Sequence, residues 1–138
     1  MDEAEIVAAS RREHALYEDL CAAYQTLAAG LDSACDASRL VDENRRAEST
    51  IEALRGLAAA LAPYRMTGEP VPPAVQAVWK ASAALAADAA RLNATITGLV
   101  RTRGEAVSAR LAEVRRGRRA LRGYRPSAAR DAASRCLA

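Results

Sequence analysis

Large apolar side chains recur along the chain at alternating steps of three and four. Tyr17, Leu20, Tyr24, Leu27, Leu31 and Ala34 form one such stripe, and Leu40, Ala47, Ile51, Leu54, Ala58 and Leu61 form a second. A third runs through Val75, Val78, Ser82, Leu85, Ala89, Leu92, Ile96 and Leu99. After a break in phase around Arg103-Gly104 it resumes at Val107, Leu111, Val114 and Leu121. This spacing gathers apolar residues on one face of an α-helix.

The breakers agree with the stripes. The stretch APYRMTGEPVPP, Ala62 to Pro73, holds four of the five prolines together with Gly68. Proline lacks the N–H and restricts the residue before it, so a loop is predicted over 62–73. Asp32, Ser33 and Asp36 are good N-cap types and Gly30 weakens a helix, which places a turn near 32–36; one bent helix over 3–62 satisfies the pattern as well. The expectation is an all-α fold, an antiparallel bundle of about three long helices over 3–34, 37–62 and 74–123. The bundle forms a single domain spanning 1–125, and residues 126–138 are expected to be a flexible tail. A helix over 74–123 measures about 75 Å at ~1.5 Å per residue, whereas helices of about 25 to 30 residues cover only about 40 Å of it. The extended C-terminal helix therefore keeps part of its apolar stripe for something else.

Composition supports the helical reading. Of 138 residues, 51% are hydrophobic, but alanine makes up about half of these; Phe is absent and aromatics reach only 4%. Sandwiches and barrels draw on aromatic and β-branched residues, whereas Ala, Leu, Arg and Glu favour helices. No window approaches a membrane span, and the start, MDEAEIVAAS, is acidic where a signal peptide would be basic. A cytoplasmic protein without membrane insertion is expected. Cys21, Cys35 and Cys136 are odd in number and lack CxxC spacing, so neither a disulfide framework nor a zinc site is indicated. Cys21 and Cys35 read as small buried residues on a shared face.

Charge is divided unevenly along the chain. Residues 1–69 carry 7 basic and 13 acidic side chains, a balance of −6, and residues 70–138 carry 13 and 4, a balance of +9. Either helices of opposite sign pack together, or the basic half attracts an acidic partner.

Signals for catalysis are weak. His14 is the only histidine, with no second ligand at metal spacing and no glycine-rich phosphate loop in the chain. Histidine phosphotransfer domains resemble HxxKG at that residue, whereas His14 is followed by Ala15, Leu16, Tyr17 and Glu18. An edge histidine is the simpler reading. Glu48 and Glu52, or Glu43 near Arg46, sit at the spacing of surface helix pairs. No enzyme is expected, and no cofactor, metal or small-molecule substrate.

The basic segment RTRGEAVSARLAEVRRGRRALRGYRP interleaves nine arginines with Val107, Leu111, Val114 and Leu121. A nucleic-acid arm usually lacks such a seam, whereas a helix that binds an amphipathic partner requires one. Tyr124 is the only aromatic among these arginines, which argues further against a single-strand binding platform. The client-binding candidates are Val107, Leu111, Val114, Arg118, Leu121 and Tyr124, with Arg118 steering an acidic tail and Tyr124 as an amphipathic edge.

The segment RLNATITGLVRTRGEAVSARLAEVRRGRRALRGYRPS, followed by a short polar stretch ending SRCLA, resembles the C-terminal part of FlgN-type flagellar export chaperones. Asn93 and Gly123-Tyr124-Arg125-Pro126 fit that outline, and LDSACDASRLVDENRRAESTIEALRGLAAALAPYR resembles the earlier half of the family. A second family Asn is replaced here by Arg103-Gly104. The resemblance implies a cytosolic chaperone that binds the C-terminal helices of hook-filament junction proteins. Such a chaperone keeps its clients from assembling early and delivers them to the flagellar type III export apparatus. The alternatives from other classes are a self-associating coiled-coil or bundle subunit and a basic nucleic-acid-associated helical protein.

Overall fold

A computed structural model describes the backbone of residues 1–33 and 36–137, with side chains for 1–33 and 36–123. Its elements are α1, Glu3–Asp32; α2, Ala37–Met66; and α3, Pro73–Leu137. Each start has a local cause. At α1 the Asp2 carboxylate accepts from the Glu5 N–H at 2.8 Å, and the Glu5 carboxylate accepts from the Asp2 N–H at 2.7 Å, a reciprocal capping box. At α2 the Asp36 carboxylate accepts from both the N–H and the hydroxyl of Ser38, each at 3.0 Å. At α3, Pro73 occupies the first helical position, where its fixed φ suits the helix, and the Val75 and Gln76 N–H groups donate to the Pro72 carbonyl at 2.9 and 3.1 Å. Gly68, with φ of 65°, supplies the left-handed residue in the α2–α3 loop.

The helices differ from the sequence pattern at two ends. The pattern ends α2 at 62, before Pro63, yet the helix continues to Met66 with Pro63 inside it. Pro63 forfeits the bond to the Ala59 carbonyl, but the following turn is held from outside. Tyr64 packs on the cluster of Ile6, Leu61 and Val75, and Arg65 binds Glu13. Tertiary contacts there outweigh the proline penalty, so the loop shrinks to Thr67–Pro72. At the other end, α3 is expected to stop at 123, but its backbone stays helical through Pro126 to Leu137. Ala128, Ala129, Ala132 and Ala133 in that stretch have the highest helix propensity of any residue type. The expected last residue of α1, Ala34, lies outside the described residues, as does Cys35. A single bent helix over 3–62 is not what forms, since α1 and α2 are separate helices packed together.

The chain divides into two compact units, Met1–Leu99 and Val100–Ala138. In the first, the direction of each helix can be read from its partners. Ile6 clusters with Leu61, while Leu20 and Ala23 cluster with Ala47 and Leu54, so α1 and α2 run antiparallel. Ser10 meets Trp79, His14 meets Ser82, and Cys21 reaches the Leu85 carbonyl, so α1 and the first part of α3 ascend together. The result is an up-down-up helical bundle. The predicted stripes form its core: Leu20, Leu27, Ala47, Leu54, Leu61, Val75, Ser82 and Ala89 are buried, and Leu85, Leu92, Ile96 and Leu99 are half-buried. Ala58 is the exception in the second stripe and is exposed.

Two outcomes test this core. Leu61 has 0% exposure, and Leu61→Ala should lower the free energy of unfolding by about 2 to 5 kcal/mol in a urea titration. Asp36 makes a pH-dependent contribution. The two hydrogen bonds from Ser38 favour its charged form and hold the carboxyl below the usual carboxylate range. Its capping is therefore complete at neutral pH and is lost as pH falls below about 4 and through the lowered value. The protection of amides in the first turn of α2, measured relative to their intrinsic exchange rates, should fall over that window, and Asp36→Asn, which still caps, should abolish this pH dependence.

Candidate functional site

A few polar side chains of the first unit link its helices. Glu13 of α1 is 2% exposed, and its Oε1 accepts from Nη2 of Arg65 on α2 at 2.5 Å. The Arg65 guanidinium lies over the Trp79 ring of α3, 4.8 Å from its centre. The Trp79 Nε1–H donates in turn to the buried Ser10 hydroxyl at 2.8 Å. Charge, ring and hydroxyl thus link α1, α2 and α3 in one chain of contacts. His14 sits at the edge, as expected, with Nε2 at 3.3 Å from Glu18 and Nδ1 at 3.4 Å from the Ser82 hydroxyl. Cys21 is buried, its thiol donates to the Leu85 carbonyl at 3.4 Å, and burial raises its pKa. Among the described residues, no group of three or more His, Cys, Asp or Glu could hold a metal ion.

The second unit presents a different surface. Every described side chain from Val100 to Gly123 is exposed, although the apolar period continues. Val107, Leu111, Val114 and Leu121 are exposed by 59%, 51%, 49% and 66%, which is unusual for large apolar residues in regular register. On the helix these four share one stripe, and Arg118 falls within it, three residues before Leu121 and seven after Leu111. Tyr124, the remaining candidate, has its side chain outside the described residues. Gly104 and Gly117 have nothing within 4 Å of where a Cβ would stand, so neither marks a close approach of another chain segment. Beside the stripe, Ser108, Leu111, Ala112, Arg115, Arg116 and Arg119 border an open concavity of about 430 Å³. All six belong to one helix and enclose nothing. Such a surface suits another extended element laid along it.

The sequence pattern identified the exposed stripe but not the Glu13–Arg65–Trp79–Ser10 chain. The signal was present: Ile6, Ser10, Glu13, Tyr17 and Leu20 follow the same three-and-four step, so two polar residues stand on an apolar face. Asn93, part of the family resemblance, is exposed. Among the described residues, no helix is long and apolar enough to cross a membrane. Comparison with family models, curated proteins and solved structures finds no match.

The contrast between the two polar environments can be tested by melting and urea titration. Arg65→Ala leaves the Glu13 carboxylate buried without its partner and should cost about 2 to 3 kcal/mol, somewhat less than the ~3 to 5 kcal/mol of a fully buried broken pair, because Arg65 keeps a third of its side chain exposed. Arg119→Ala, at an exposed site, should change stability by less than about 0.5 kcal/mol.

Proposed function

We propose that this chain is a helix-binding export chaperone. Its first unit is a helical bundle with a buried core, and its exposed stripe at Val107, Leu111, Val114 and Leu121 receives an amphipathic helix of a client protein. The observation that carries this reading is the exposure, by 49% to 66%, of these four large apolar side chains on one face of α3. Contiguous apolar surface of this kind, bordered by charge, is typical of a binding site.

The resemblance to FlgN-type chaperones supplies the specific form of the proposal. The clients are the C-terminal helices of hook-filament junction proteins, held in the cytoplasm and passed to the flagellar export apparatus. Those helices are apolar and prone to aggregate when unpaired. Laying one along the stripe removes apolar area from water on both partners, at roughly 25 cal/mol per Å² of area covered. The covering is reversible, so protection and release need no nucleotide. Arg118, set within the stripe, and Tyr124 complete the proposed contact, the first by attracting an acidic side chain of the client.

Calorimetric titration of the full chain with the C-terminal helical segment of a junction protein from the same cell tests the reading. Binding is expected, and Leu111→Ala or Val114→Ala should weaken it by about 1 to 3 kcal/mol, with the melting temperature of the free protein unchanged. Leu54→Ala, in the core of the first unit, should instead lower stability by about 2 to 5 kcal/mol. Absence of binding, or a Leu111→Ala variant as unstable as Leu54→Ala, would refute the proposal.

A further inference from the structure

Sorted by heptad, the exposed stripe has the layout of a coiled-coil seam. Val100, Val107, Val114 and Leu121 are spaced by sevens and take the d positions. Gly104, Leu111 and Arg118 take the a positions between them. The residues that flank this seam, where partners of a coiled coil exchange charges, are then fixed. On the e side they are Arg101, Ser108, Arg115 and Arg122. On the g side they are Arg103, Arg110 and Gly117. Both glutamates of the segment, Glu105 and Glu113, fall on the b and c positions, away from the seam. The flanks are basic wherever they are charged.

We propose that the occupant of this seam is a heterologous helix with acidic e and g positions and an acidic residue opposite Arg118. The proposal rests on the helix-docking reading above and narrows it to one partner chemistry. Charge complementarity is the argument. A second copy of this chain laid in parallel would place Arg110 against Arg115 and bring the two Arg118 side chains together within the seam. In an antiparallel pair, e faces e and g faces g, and arginine again meets arginine. Like charges at these positions oppose pairing, and opposite charges select the partner. A charged group at an a position adds a register constraint, since Arg118 must be matched by a carboxylate or be buried unpaired. A nucleic-acid backbone satisfies the arginines but leaves the d-position valines and Leu121 facing water.

The test uses the full chain and synthetic helical peptides of about four heptads with one common Leu/Val seam, their flanks either all Glu or all Lys. Fluorescence anisotropy at about 0.05 M salt should show the Glu-flanked peptide binding at least about tenfold more tightly, since several exposed ion pairs of modest strength act together. At about 0.5 M salt the preference should shrink through screening. Arg110→Glu combined with Arg115→Glu, both at exposed sites, should reverse the preference while the circular dichroism spectrum stays that of the parent. Equal binding of both peptides, weakened by Leu111→Ala, would overturn the acidic complement and leave helix docking standing. Binding of neither peptide would overturn docking as well. A dimer of the free chain in sedimentation, dissociated by Leu111→Ala, would make a second copy the occupant and refute the inference. So would binding to random-sequence duplex DNA that falls steeply with salt and ignores Leu111→Ala.

Discussion

A carboxylate inside a small helical bundle must be matched, and Glu13 therefore constrains how α2 can lie on α1. Hydrophobic contacts are forgiving: a leucine moved by a turn still finds carbon. A charge at 2% exposure is not, because an unpaired ion in the interior costs several kcal/mol. Arg65 must therefore arrive at Glu13, which fixes the register of α2 along α1 and requires the last turn of α2 to exist despite Pro63. The same guanidinium covers Trp79, and Trp79 in turn needs Ser10 for its indole N–H. Pairing one acid thus aligns three helices, and the apolar stripes fill the space that this alignment leaves.

Much of this fold was legible because helix periodicity and breakers act locally. The helical class, the faces of Leu20, Leu54, Val75 and Ala89, and the start of α3 beside Pro73 follow from spacing and caps, whereas the turn near Asp32 and Asp36 was only one of two arrangements that the pattern allowed, and the packing of α1 on α2 decides for it. What was not legible depends on residues far apart in sequence. Pro63 looks like a terminator until Arg65 and Tyr64 are known to be held by α1 and α3. Ser10 and Glu13 look like surface residues at the ragged beginning of a stripe, because nothing near them announces Arg65 or Trp79. At the far end of α3, Pro126 looked like an exit, but the alanine-rich sequence after it has no local reason to stop being helical. For the candidate site, the stripe of Val107, Leu111, Val114 and Leu121 was visible in sequence. That it is exposed was an argument from helix length, now matched by the accessibility of each side chain.

The two units use one apolar period for opposite ends. In Met1–Leu99 the stripe is closed over with alanines, leucines and a few paired polar groups, and the surface charge is mostly acidic. In the described part of the second unit the stripe stays open and arginine dominates. The sign change between residues 1–69 and 70–138 is therefore not explained by helix-on-helix attraction within the bundle alone, since most of the excess positive charge lies beyond Leu99. Arginine suits that position. Its planar fork engages carboxylates with two bonds, and its stem can lie along the apolar stripe that it borders.

The buried thiol of Cys21 has a use that its structural role conceals. It sits where α1 meets α3, donates to the Leu85 carbonyl, and is held in the neutral form by burial, so it is a poor nucleophile while the helices stay together. Alkylation should therefore be slow while α1 and α3 stay packed and faster when they part. The rate of modification at this one sulfur, followed by peptide mass, is consequently a clock for the breathing of the bundle. It can be read in the unaltered protein, free or with a helix bound, and would register whether occupying the distal part of α3 stiffens the packed part.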